Sequence, residues 1–231
     1  MESEQLALVR GWADTRAALL AWRRRPLQTV GPWAAGSLAV AVALLAATWV
    51  VATLSIPDSS GWPLVGVGPV GAWGDFFFIL YRNALVLALH AMACVAGFIA
   101  GASLPIAAAD YGAWWRRVHD RAGRLAIAFV AAATLFSLST QAYALGSVAA
   151  IKAADRDISP ALLLLGSLPH ALPELCALFL PLAAWILASR RGAWQELLAA
   201  TFVTTAIAVP VIVAAAAIEV WLTPHVLYFL K

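Results

Sequence analysis

Long stretches without a charged residue limit most strongly what this chain can fold into. No Asp, Glu, Lys or Arg occurs in residues 26–57, 83–109 or 125–151. Two further runs, 158–189 and 197–218, contain a single carboxylate between them. A helix must place about 20 apolar residues across a hydrocarbon core about 30 Å thick, and each run is long enough to do so. The pattern therefore predicts five membrane crossings.

Composition agrees with a membrane protein. Hydrophobic residues make up 63% of the 231 residues and charged residues 12%, and these fractions lie outside the usual range of a water-soluble domain. We therefore expect an all-α fold, a polytopic membrane helix bundle of about five transmembrane helices within one domain, 1–231. The expected spans lie near 32–55, 83–106, 125–150, 170–189 and 197–220.

The basic residues predict an orientation. With the N-terminus inside, eleven arginines fall on the cytoplasmic side and four basic residues on the outer side, as the positive-inside rule requires. The C-terminus is then external, and the Gly- and Pro-rich residues 55–75 form an external loop. We expect a multi-pass protein of a prokaryotic plasma membrane. Its basic residues sit at span ends, which indicates the lipid bilayer as partner and no nucleic acid.

The first 25 residues predict an interfacial amphipathic helix on the cytoplasmic side. Leu8, Trp12, Leu19 and Trp22 recur at helical spacing, with charged residues on other faces, a pattern typical of a helix lying in the headgroup plane. The alternative is a soluble cap packed on the cytoplasmic loops.

The second span contains Gly97 and Gly101, four residues apart. This small-xxx-small spacing lets two helices approach closely. We interpret the pair as a helix-packing face and expect a homodimer. His90 lies in the same span, where a charged form would be costly, so we expect it to be neutral and hydrogen-bonded inside the bundle.

Four prolines between residues 160 and 181 predict a broken fourth span, because each removes a helical hydrogen bond. A break within residues 166–173 would place Glu174 at a helix N-terminus, where the helix dipole favours a carboxylate. His170 would stand beside it, with Arg82 and Asn83 as further partners at the start of the second span. One interpretation is an ion, proton or polar-ligand site, and the other is a structural cap.

Motifs for catalysis are absent from the sequence. There is no G-x-S-x-G elbow, phosphate-binding loop or HExxH cluster, so we predict no catalytic residue, no cofactor and no metal site. An intramembrane hydrolase using His170 and Glu174 is a minor alternative.

Two stretches carry a resemblance. Phe76, Ile79 and Asn83 open one apolar span, and Pro169, His170 and Glu174 open a later one. In order and distance they resemble the two motifs of the stage II sporulation protein M family of integral membrane proteins. The chain has Arg82 and Ala171 where that family has Asn and Gly, and residues 108–112 replace its Asn-Gly loop, so it resembles a divergent member.

The resemblance implies a membrane platform that recruits cell-wall enzymes, because the family's namesake resembles such a platform. Together with the absent catalytic motifs, it favours a non-enzymatic integral membrane subunit, a scaffold or partner-recruiting component of a cell-envelope complex. The alternative is a permease subunit of an ABC-type exporter working with a separate cytoplasmic ATPase, favoured by the basic inner loops and the predicted broken span.

Overall fold

A computed structural model describes residues 7–57, 72–103 and 113–230, and these residues form helices without a strand. The expected external loop, the replaced Asn-Gly loop at 108–112 and residues 1–6 of the N-terminal segment lie wholly or largely outside the described residues. The α-helices are α1 (Ala7–Arg23), α2 (Pro26–Leu54), α3 (Trp73–Phe98), α4 (Ala113–Asp155), α5 (Pro160–Arg191), α6 (Leu197–Ala217) and α7 (Thr223–Phe229). Two π-helical segments, Ile99–Ser103 and Ile218–Leu222, follow α3 and α6, and a 3₁₀ turn, Trp194–Glu196, precedes α6.

Within the part of the chain that the structure describes, five helical segments are long and apolar enough to cross a membrane, which confirms the expected number. They are Pro26–Leu54, Trp73–Gly101, Ala128–Asp155, Pro160–Arg191 and Trp194–Phe229. The second begins before the expected span, because the helix already includes Trp73 and Phe76. Aromatic side chains tolerate the headgroup level, so the helix extends beyond the strictly aliphatic run.

Helix α5 is the centre of the bundle. It packs against α2, α3 and α6, and 61% of its apolar window is buried, compared with 6% for α4. Residues 177–185 are buried without interruption, as expected of a helix that is apolar all round and enclosed by neighbours. Helix α4 lies at the edge and packs mainly on α2.

The two ends of the bundle differ, and we name them by their contents. At the α1 end, Gly11 meets Phe98 and Leu198, and Gly101 meets Trp194. At the far end, Trp221 packs on Trp73 and Phe76, with ring centroids 5.0 and 5.2 Å apart. Clusters of tryptophan at both ends suit the two headgroup levels of a bilayer.

The predicted break in the fourth span is wrong. Helix α5 runs from Pro160, where Ser159 Oγ accepts from Leu162 N at 3.2 Å, to Arg191 with Pro169, Pro173 and Pro181 inside it. A proline costs a helix about 3 kcal/mol. A break would leave several backbone groups unsatisfied in an apolar bundle, at several kcal/mol each, so the continuous helix is favoured. Glu174 therefore lies mid-helix, and it caps nothing.

The glycine pair packs within the chain. A Cβ placed on Gly97 would lie 2.7 Å from Trp185 Nε1 and 2.8 Å from Leu197 Cδ1, and one on Gly101 would overlap the Trp194 ring. The predicted packing face thus receives aromatic side chains of the same chain. A homodimer stays a prediction, and it loses the surface on which it rested.

Helix α1 packs on the α1 end of the bundle through α6 and the 3₁₀ turn. Its contact face includes Gly11 and Thr15, which are buried, whereas Trp12 is 67% exposed. Trp12, a member of the expected apolar stripe, is therefore free of the bundle. Helix α1 therefore packs on the bundle as a cap, and the apolar side chain of Trp12 remains exposed.

Candidate functional site

A buried hydrogen bond joins α5 to α7 at the far end of the bundle. His170 Nδ1 lies 2.8 Å from Thr223 Oγ1, and both residues are buried, at 8% and 6% exposure. The Thr223 hydroxyl donates its single hydrogen to the carbonyl of Ile218 at 3.2 Å. Since that hydrogen is used, His170 Nδ1 must be the donor, and its Nε2 is the acceptor nitrogen.

The π-helical segment Ile218–Leu222 creates this contact. The wider turn brings the Thr223 backbone N–H onto the Ile218 carbonyl, which also receives the Thr223 hydroxyl. Insertions of this kind occur frequently at functional sites. Here the segment carries Glu219 and turns the chain so that Thr223 faces His170.

Asn83 and Glu174 are neighbours inside the bundle. Asn83 on α3 is 8% exposed, and its amide lies next to the carboxyl group of Glu174 on α5. The geometry falls short of a hydrogen bond, because Asn83 Nδ2 and Glu174 Oε2 are both buried without a partner among the described residues. Buried polar atoms without partners are uncommon, and each needs an explanation.

Further charged residues surround this pair. Lys152 on α4 attracts the Glu219 carboxylate, and Glu219 in turn repels Glu174. Arg82 is exposed at the rim, with its guanidinium carbon 5.9 Å from the Phe78 ring centroid, and it attracts both carboxylates. Asp75 also acts on Glu219 and Arg156 on Lys152. Three carboxylates and three cations therefore meet at the far end, and their formal charges sum to zero.

Most of the predicted site residues lie close together. We define the polar cluster as Arg82, Asn83, Lys152, His170, Glu174, Glu219 and Thr223. It contains four of the predicted residues, whereas Pro169 is exposed and contributes only to the course of α5. Sequence analysis missed Lys152, Glu219 and Thr223, because a charged or polar residue at the end of an apolar run usually faces the membrane surface and by itself carries no signal of a tertiary contact. A signal was available, since Lys152, Glu219 and Arg82 all occur where an apolar run meets the same predicted membrane face.

The polar cluster draws one or more residues from each of α3, α4, α5, α7 and the π-helical segment Ile218–Leu222. Charged residues at membrane depth are expensive and mark ion or proton pathways or bundle-holding networks. The carboxylates could hold or pass a proton, and Asn83 could orient one of them. Among the described residues, no group of three His, Cys, Asp or Glu side chains is arranged to hold a metal ion.

A second set of polar contacts lies deeper and is satisfied. His90 Nδ1 donates to the Leu178 carbonyl at 2.8 Å, and Cys94 Sγ donates to the Pro181 carbonyl at 3.2 Å. Both acceptors lie near the α5 backbone position where Pro181 removes an N–H donor. These contacts tie α3 to α5, and they give His90 the hydrogen bond expected of it inside the bundle.

Comparisons of the chain with protein-family models, with curated proteins and with solved structures find no match. The resemblance to the stage II sporulation protein M family therefore stays a prediction that rests on the two motifs. Without a match, the structure still supports an all-α, multi-pass membrane protein.

Proposed function

We propose that the protein is a non-enzymatic membrane subunit that recruits a partner protein to a cell-envelope complex. The observation that supports this proposal most directly is the length of α4, Ala113–Asp155. Its N-terminal charged residues end at Arg124, so about 12 residues of this helix precede the apolar run. At about 1.5 Å per residue, the helix projects about 18 Å beyond the hydrocarbon core. We call residues 113–124 the helical arm.

The helical arm is basic and has basic neighbours. It contains four arginines and one aspartate. It continues from the side of the bundle where α4 contacts the π-helical segment Ile99–Ser103, which is the α1 end, and Arg190 and Arg191 close α5 at that end too. A projecting helix of net positive charge suits an acidic partner surface, because such a field steers association. We place this end in the cytoplasm by the positive-inside rule.

The two resembling motifs support membership of the stage II sporulation protein M family as part of the same proposal. Asn83 closes the first motif and Glu174 closes the second, and their side chains are neighbours in the bundle. Because the two motifs meet in the bundle, the contact between them gives a structural reason for their order and distance in the sequence. The family's recruiting role then comes to this chain as an expectation.

Affinity purification of the full chain from crosslinked native membranes tests the proposal. Arg117 and Arg121 lie four residues apart and so share one face of the helical arm. The double change R117E/R121E should release the partner, whereas H225E, which adds the same kind of charge at an exposed site at the far end, should not. Equal recovery of the partner with both variants would contradict recruitment by the helical arm.

A second candidate is a permease subunit working with a separate cytoplasmic ATPase. The polar cluster favours it, since titratable side chains from several spans meet inside a membrane bundle, as they do along transport pathways. The same purification separates the candidates by the identity of the partner. A nucleotide-binding subunit whose ATPase activity rises on reconstitution with the chain supports the permease, and a cell-wall enzyme supports the scaffold.

A further inference from the structure

A polar cavity of about 170 Å³ opens at the α1 end of the bundle. It lies where the end of α1, the start of α2, the end of α5 and the start of α6 meet. Its lining includes Trp22, Trp33, Ala188, Arg191, Glu196 and Ala200. The polar cluster described above lies at the opposite end, so this cavity is a separate feature.

The cavity lies at the level where a membrane changes from polar to apolar. The uncharged run of α2 begins directly after Arg25, and the uncharged run that follows Glu174 in α5 ends at Arg190. Trp22 and Trp33 form one wall, in an edge-to-face pair with centroids 5.2 Å apart. Tryptophan prefers the headgroup level, so the cavity faces lipid headgroups.

The lining combines two opposite charges with an aromatic wall. Arg191 supplies a guanidinium, whose fork of N–H donors matches a phosphate. Glu196 supplies a carboxylate, and the tryptophan rings supply faces that attract an ammonium group. A headgroup bearing only negative charge would meet Arg191 favourably and Glu196 unfavourably. A group with both a phosphate and an ammonium satisfies every charged element of the lining.

We propose that this cavity binds the headgroup of an aminophospholipid, with phosphate on Arg191 and the primary ammonium between Glu196 and the tryptophan wall. Phosphatidylethanolamine is the simplest lipid with this chemistry. Ala188 and Ala200 give the cavity an apolar side, along which the glycerol and first acyl carbons would lie. This inference does not depend on which partner the helical arm recruits, nor on which side of the membrane the α1 end faces.

Native mass spectrometry of the full chain in detergent tests the proposal without any variant. Phosphatidylethanolamine should bind about tenfold more tightly than phosphatidylglycerol, which lacks the ammonium. It should also exceed phosphatidylcholine, whose methylated ammonium cannot donate to a carboxylate. Equal affinity for all three lipids would overturn the proposal. Soluble glycerophosphoethanolamine, which has the headgroup without the acyl chains, should compete only weakly for the cavity. Competition as strong as that of phosphatidylethanolamine would show that the ligand is a free metabolite and not a lipid.

Two substitutions sharpen the test, and they have a matched control. R191Q should weaken phosphatidylethanolamine binding about tenfold, whereas R190Q, which removes the neighbouring exposed charge outside the cavity, should leave it unchanged. E196Q should abolish the preference for phosphatidylethanolamine over phosphatidylglycerol, a result that a merely structural role would not produce. Thermal unfolding in the same detergent identifies folded variants. A folded E196Q protein with unchanged lipid preference would overturn the assignment of Glu196.

Discussion

The imidazole of His170 and the hydroxyl of Thr223 form a buried hydrogen bond of 2.8 Å between residues 53 positions apart in the chain. The Thr223 hydroxyl also donates to Ile218, so the three residues fix the join between α6 and α7 against α5. The histidine motif of the sequence thus has a structural partner in the last helix. Loss of this hydrogen bond should therefore lower the free energy of unfolding.

Thr223→Val should destabilise the protein, because His170 Nδ1 would lose its acceptor inside the bundle. An unsatisfied buried donor costs about 1 to 3 kcal/mol. Thr223→Ser keeps the hydroxyl and should retain most of the stability. Thr53 offers a control, since it is exposed and bonds only its own helix at Val50, so Thr53→Val should change little. Thermal unfolding in detergent measures all three, and equal effects at positions 223 and 53 would contradict the link.

Replacing the two carboxylates of the polar cluster by glutamine should have opposite effects. Among the charges around Glu174, the repulsion from Glu219 is the largest, so Glu174→Gln should leave the free energy of unfolding unchanged or higher. Glu219 has the attraction of Lys152 as its largest charge interaction. Glu219→Gln should therefore cost about 1 to 2 kcal/mol, less than for a fully buried pair because Glu219 is half-buried.

Chemical or thermal unfolding of the two variants side by side decides this prediction. The comparison is matched, since both changes convert a half-buried glutamate of the same cluster to its neutral isostere. A loss of stability in Glu174→Gln as large as that in Glu219→Gln would show that the Glu174 charge is favourably paired. If Glu174→Gln is stable but the recruited partner or transport activity is lost, the charge acts in function.

Gly97→Ala should destabilise the bundle within one chain and leave any self-association unaffected. The added methyl group would lie 2.7 Å from Trp185 Nε1 and 2.8 Å from Leu197 Cδ1, and such overpacking costs about 1 to 3 kcal/mol. Gly31, also helical, would have no atom within 4 Å of an added Cβ, so Gly31→Ala should be neutral or stabilising by up to about 1 kcal/mol. Size-exclusion chromatography with thermal unfolding distinguishes the outcomes. A stable Gly97→Ala protein with altered oligomeric state would restore the dimer face.

Cysteine labelling tests the orientation. Asp155 and Gln195 are both exposed, at the far end and the α1 end respectively. In a background without the two native cysteines, D155C should react with an impermeant maleimide in intact cells, and Q195C should react only after the membrane is permeabilised. The reverse pattern would invert the orientation and place the helical arm outside. Labelling of both from one side would contradict an odd number of crossings between the two positions.

The sequence by itself determined the five spans, because bilayer thickness converts an uncharged run of fixed length directly into a helix. The start of α5 was missed, since the expected span began at 170 whereas the helix begins at Pro160, where Ser159 is the N-cap and Pro160 lies in the first turn. The tertiary structure decided whether α5 breaks at its prolines. A continuous helix costs about 3 kcal/mol per proline, whereas a broken helix leaves backbone groups unsatisfied in an apolar bundle. The cost of those unsatisfied groups depends on the packing around α5, which the sequence does not show. For Glu174 the sequence predicted Asn83 and Arg82 as partners, and the structure places both near it. Glu219 was beyond the sequence, because it reaches Glu174 through the extra turn of the π-helical segment, and Lys152 reaches Glu219 through the register of α4. Gly97 and Gly101 show the same limit: their spacing predicts a close approach, but only the three-dimensional fold assigns that approach to Trp185 and Trp194 of the same chain.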